Sequence, residues 1–197
     1  MPSIIRGDDD FDSDIRGSLR HISQTVVSSA VSSVDFTGFD SSEYDNYLVV
    51  LSDVTPVTDA VYLWCRTSTD GGSTFDSGGS DYEWLLHYNV STAKGSLSSF
   101  GNALNICGFS GGNGVSNTST ELGVTGELLL VRPEEAARCV VQSDFAYSRN
   151  IETAYKLTSN SVVGYRDDAT AVNGLRFLFH SGNIASGKFD FYGIKGA

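Results

Sequence analysis

The sequence predicts an all-β protein, a jelly-roll-like β-sandwich of roughly nine to eleven strands preceded by an extended N-terminal arm. Three observations carry this. Short runs of β-branched and aromatic residues recur along most of the chain. Between them stand clusters rich in glycine, serine and asparagine, with 21 glycines in 197 residues. No stretch alternates strands with long amphipathic helices, which argues against a parallel α/β fold.

Residues 1–33 read as an arm or anchor, and residues 34–197 as the sandwich. The arm opens with Asp8, Asp9, Asp10, Asp12 and Asp14. Ile15, Leu19 and Ile22 follow at helical spacing, which predicts a short helical turn weakened by Gly17. The serine-rich stretch 28–33 reads as a linker or a poor edge strand.

From Val34 the pattern is that of strands. Residues 47–51, Tyr-Leu-Val-Val-Leu, form a nearly continuous apolar run, which predicts a strand buried on both faces. Residues 61–67 follow, and Asp70-Gly71-Gly72-Ser73 marks a tight turn. Tyr82, Trp84, Leu86 and Tyr88 alternate along residues 82–90, so all four share one face. Further strands are predicted at 104–109, 127–131, 139–145, 154–157 and 162–165. Between 127–131 and 139–145, residues 133–138 invite a helical turn with Pro133 at its first position. A closing pair spans 174–180 and 188–194, with Phe189 and Phe191 facing one way.

Charge and cysteines narrow the function classes. A net charge of −11 opposes binding to phosphate backbones and predicts no nucleic-acid partner. No apolar run is long enough for a membrane helix, and the acidic start lacks a signal peptide's apolar core. No membrane insertion is therefore expected. Cys65, Cys107 and Cys139 lie far apart inside apolar runs and read as small buried hydrophobes rather than a disulfide set or zinc ligands.

Several motifs suggest chemistry, and each has a plainer reading. Gly108-Phe109-Ser110-Gly111-Gly112 has the form of a nucleophile elbow, yet Asn113 and Gly114 cannot open the helix that an elbow requires. Its only triad partners would be Asp144 or Asp168 with His180. The acid run 8–14 lacks the glycine and glutamate of a calcium loop, having Ile15 and His21 at those places. Arg6-Gly7-Asp8 matches an integrin-ligand tripeptide that recurs by chance. His21, His87 and His180 stand apart, without metal-ligand spacing. No catalytic residue, metal or cofactor is predicted. Trp64, Tyr82, Trp84 and Tyr88 are candidates for a glycan-stacking platform, against the plainer reading of aromatic core residues.

One pattern extends over residues 34–197. Val34-Asp35-Phe36-Thr37-Gly38-Phe39, the run Tyr44 to Val50, the segment Leu63 to Phe75 around Asp70-Gly71-Gly72, and the ending 184–195 together resemble a recurrent module of tailed-bacteriophage virion proteins. The resemblance implies a β-sandwich that serves as a tail-fibre, head-fibre or capsid-decoration component, without enzymatic activity. It implies localisation to the virion after assembly in the host bacterial cytoplasm, with other virion proteins as partners. A symmetric homo-oligomer, a trimer, is expected, with the arm as anchor. The alternative expectation is a carbohydrate-binding module that recognises a host surface glycan through exposed aromatics.

Overall fold

The computed structural model describes residues 19–90, 93–151 and 154–195. Among them it contains twelve strands and no helix: β1 (Leu19–Val27), β2 (Val34–Thr37), β3 (Asn46–Pro56), β4 (Leu63–Ser68), β5 (Tyr82–Val90), β6 (Ala93–Gly101), β7 (Leu104–Cys107), β8 (Val124–Val131), β9 (Val140–Ile151), β10 (Ala154–Arg166), β11 (Gly174–Phe179) and β12 (Ile184–Ile194). They form two antiparallel sheets, an eight-stranded one ordered β1-β12-β3-β8-β9-β10-β5-β6 and a four-stranded one ordered β2-β11-β4-β7. Strand pairs nest from the ends of the chain inward: β3 with β12, β4 with β11, β5 with β10, and β8 with β9. The two facing sheets make the expected β-sandwich; a jelly roll would place the innermost pair, β8 with β9, in the sheet of β4 and β11, whereas here it lies in the large sheet.

The core lies between the sheets. Alternation puts Tyr47, Val49 and Leu51 of β3 beside Phe189 and Phe191 of β12, all buried, against Leu63 and Cys65 of β4 and Phe177 of β11. Stacked rings knit the layers, with centroids 5.2 Å apart for Tyr47 and Phe191 and 4.8 Å for Phe36 and Phe191. Burying a side chain of this size stabilises by about 1.5–3 kcal/mol. Cys65, Cys107 and Cys139 are free and buried in this core, as read from the sequence. Burial pushes the Cys139 thiol up to about 12 and the other two well above their ordinary value, so all three remain protonated.

The structure corrects several sequence readings. Leu19 and Ile22 lie not in a helical turn but in β1, which pairs along β12 as an edge strand; Ile15 falls outside the described residues. Pairing satisfies the main chain there, and the strand buries only Val27. Residues 133–138 form a bend after Arg132 at φ 44°, not a helical turn. The two strands expected within 154–165 are one, β10. The run 47–51 is buried on one face only: Leu48 and Val50 point away from the second sheet and remain half-buried. Nothing among the described residues covers that outer face.

The two sheets differ in width, and this creates a concavity at their margin. The small sheet ends at β7, whereas the large one continues past it through β5 and β6. Close approach at this margin depends on Gly164 of β10. A Cβ there would lie 2.5 Å from Leu104 Cδ2 and 2.8 Å from the Glu83 carbonyl oxygen, so glycine lets both β7 and β5 close onto β10 here.

Candidate functional site

A groove of about 430 Å³ runs along this margin. β5 and β6 supply Trp84 and Leu97, β4 supplies Trp64, the residue before β4 supplies Tyr62, and Asn105 of β7 and Phe109 just beyond it complete the lining. Local sequence explains the arrangement. In β4, Leu63 and Cys65 face the core, so period-2 alternation turns Trp64 outward, with Tyr62 on the same side. In β5, Trp84 shares the inner face with Tyr82 and Leu86, but it lies where the small sheet no longer covers it fully.

The aromatic wall is held by its neighbours. His180 stacks on Tyr62 with centroids 4.3 Å apart and lies 5.6 Å from Trp64. Tyr62 N–H donates to His180 Nδ1 at 2.9 Å, which places the neutral ring's proton on Nε2. Partial burial lowers the His180 pKa below its ordinary value. Arg66 lies 5.9 Å from the Trp64 ring centroid, and its Nε donates to the Asn102 carbonyl at 2.9 Å. Phe109 stacks on Tyr88 at 4.2 Å, closing the inner end with Leu86 and Val162.

Polar groups are few. Asn105 is 6% exposed; its Nδ2 donates to the Gly108 carbonyl at 2.9 Å, while its Oδ1 is buried and accepts no hydrogen bond. Ser99, whose hydroxyl donates to the Phe100 carbonyl at 2.8 Å, and Ser110 stand at the rim. None of the lining residues is an acid or a base.

Of the four sequence candidates, the structure brings Trp64 and Trp84 into one groove, each half-buried. Tyr82 must be withdrawn. It is wholly buried, and its hydroxyl accepts from Thr67 N–H at 2.8 Å and donates to the Asp76 carbonyl at 3.2 Å, which leaves no ring face for a ligand. Tyr88 is half-buried and spends a ring face on Phe109. The sequence reading missed Tyr62, Phe109 and Asn105. Tyr62 was legible, two residues before Trp64 on an alternating strand, but the register that brings Asn105 opposite Trp64 has no local signature.

The other motifs do not assemble into chemistry. Ser110 sits on an exposed turn. Asp144 binds Ser161 on the opposite face of the large sheet, and Asp168 binds Thr170 and Arg166, which keeps its carboxyl at about 2. Neither carboxylate meets His180, whose Nδ1 is taken. His21 lies 3.5 Å from Asp190 across β1 and β12. Among the described residues no three His, Cys, Asp or Glu side chains could hold a metal ion, and no helix is long and apolar enough to cross a membrane. Arg6-Gly7-Asp8 and the acid run 8–14 lie outside the described residues.

A second feature is the outer face of the large sheet. Leu85 of β5 is paired with Val163 of β10, and both are exposed, at 39% and 41%. Across Gln142 the same row reaches Leu129, Leu48 and Tyr192, and the adjoining row carries Val140, Val131 and Ile194 together with Glu83, Tyr165 and Asn46. Rows nearer the other end are polar, with Asp190, Glu127, Asp144, Ser161 and His87. An antiparallel sheet with one solvated face ordinarily presents polar residues there. The row from Leu85 to Leu48 does not.

The chain matches no family model, no curated protein and no solved structure.

Proposed function

We propose that the chain is a non-enzymatic structural component of a bacteriophage virion, displayed on the particle surface as a capsid decoration, head fibre or tail fibre, and anchored through its N-terminal segment. The observation that carries this reading is the apolar band on the outer face of the large sheet. Solvent-facing aliphatic side chains on at least five neighbouring strands gain by contact with another subunit. A second copy of the chain is the occupant we infer, giving a symmetric homo-oligomer, a trimer, with the polar half of the face left to water.

Two further features support the reading. The sheets end on β1, β6, β2 and β7, edges suited to contact with other proteins while the loops are presented. Its N-terminal segment precedes β1, an edge strand that buries only Val27. Antibodies raised against the sandwich should decorate purified bacteriophage particles in the electron microscope, and the chain should be found among their structural proteins. A chain recovered only from the free fraction of infected cells, never with particles, contradicts the proposal.

A further inference from the structure

We propose that the groove between β4, β7 and the overhanging β5–β6 hairpin is a binding site for a neutral pyranose sugar, held face-on by Trp64 and Trp84 with a ring hydroxyl supplied to Asn105. This goes beyond the structural role above and stands whatever particle carries the chain.

The first argument is the lining. Sugar rings present faces of polarised C–H bonds, which pack on the electron-rich faces of aromatic rings. Trp64, Trp84 and Tyr62 converge here although each could have been buried or dispersed. His180 stacked on Tyr62 and Arg66 over the Trp64 ring flank the wall, so its rings are already positioned before a ligand arrives. The volume, about 430 Å³, lies within the range of small-molecule sites.

The second argument is the unpaired acceptor. Asn105 Oδ1 is shut off from bulk solvent and has no donor within the protein, which costs free energy that a donor would recover. A purely hydrophobic ligand would leave that cost in place. A polyol meets it with a hydroxyl, directly or through one bound water, while its other hydroxyls reach Ser99 and Ser110 at the rim.

The third argument is charge. No lining residue carries a carboxylate or an ammonium group, and the nearest guanidinium, Arg66, is engaged with the Asn102 carbonyl. The chain carries a net charge of −11, which disfavours acidic sugars. A neutral ring fits best.

Trp64 and Trp84 are the chain's two tryptophans, so tryptophan emission, excited selectively over the nine tyrosines, reports on this groove. The full-length protein is titrated with methyl glycosides of D-glucose, D-galactose, N-acetyl-D-glucosamine and L-rhamnose, each to about 100 mM, since single-sugar sites bind at millimolar strength. The expected result is a saturable change in emission with at least one of the four. Trp64→Ala should weaken that binding by about tenfold or more, and Asn105→Ala by about fivefold. Trp84→Phe, which retains packing in the sheet, should weaken it less than Trp64→Ala, and Leu85→Lys on the opposite face should leave it unchanged. Absence of saturation with all four sugars overturns the proposal. So does sugar binding that survives in folded Trp64→Ala protein, or a groove that binds indole but none of the sugars.

Discussion

At the scale of single residues, this fold depends on a few positions where no other side chain fits. Gly126, in the middle of β8, has φ 146°, and a Cβ there would lie 2.1 Å from the Asp144 carbonyl oxygen. Gly126→Ala should therefore destabilise the protein by about 3 kcal/mol or more, read as a drop in the midpoint of urea unfolding. An unchanged midpoint would mean that β8 and β9 can separate locally at no cost. His180 supplies a pH-dependent term. Its folded pKa is depressed by burial, so its contribution is fully present above about pH 6.5 and is lost as pH falls through the lower folded value. Thermal stability measured from pH 7 to 5 should fall more steeply for the native chain than for His180→Gln; parallel curves would assign the acid sensitivity to other groups.

At the scale of elements, the strands that alternated cleanly were legible and those held by neighbours were not. The period-2 pattern of residues 82–88 and the closing pair ending in Phe189 and Phe191 predicted faces that the structure reproduces. β6 escaped because Ala93-Lys94-Gly95-Ser96 carries no apolar face; it exists by pairing with β5, and Gly95 leaves room for the Tyr88 ring. The helical spacing of Ile15, Leu19 and Ile22 misled for a similar reason, since the exposed edge of β12 offers Leu19–Val27 a partner that the sequence does not display. In the groove, Trp64 and Trp84 were legible as candidate stacking aromatics, although Trp84 lies on the inner face of the large sheet. Tyr82 was misjudged because sharing a face with Trp84 does not fix how far under the second sheet a residue lies. β1 yields its own prediction. It buries only Val27, and its side chains meet β12 mainly through Gln24 and His21 at Asp190. Removing residues 1–27 should cost about 2 kcal/mol and leave a cooperatively folding sandwich by circular dichroism, but one that no longer joins particles. Normal incorporation of the truncated chain would put the docking surface on the sandwich itself.

At the scale of the whole molecule, the two open surfaces lie on different sides of the large sheet. The groove occupies the inner margin, beyond the small sheet. The apolar band occupies the outer face, at Leu85, Val163, Leu129 and Leu48. Subunits can thus associate through one while the other remains open. The sequence read residues 47–51 as buried on both faces; the fold of a single chain buries one, and a second copy on the outer face would bury the other. The most direct test is the mass of the purified full-length chain by light scattering behind a sizing column, alongside the double variant Leu85→Lys, Val163→Lys. The account predicts a native species of three times 21.1 kDa and a folded variant at 21.1 kDa. A native chain that elutes as a folded monomer, or a variant that retains the native mass, would contradict it.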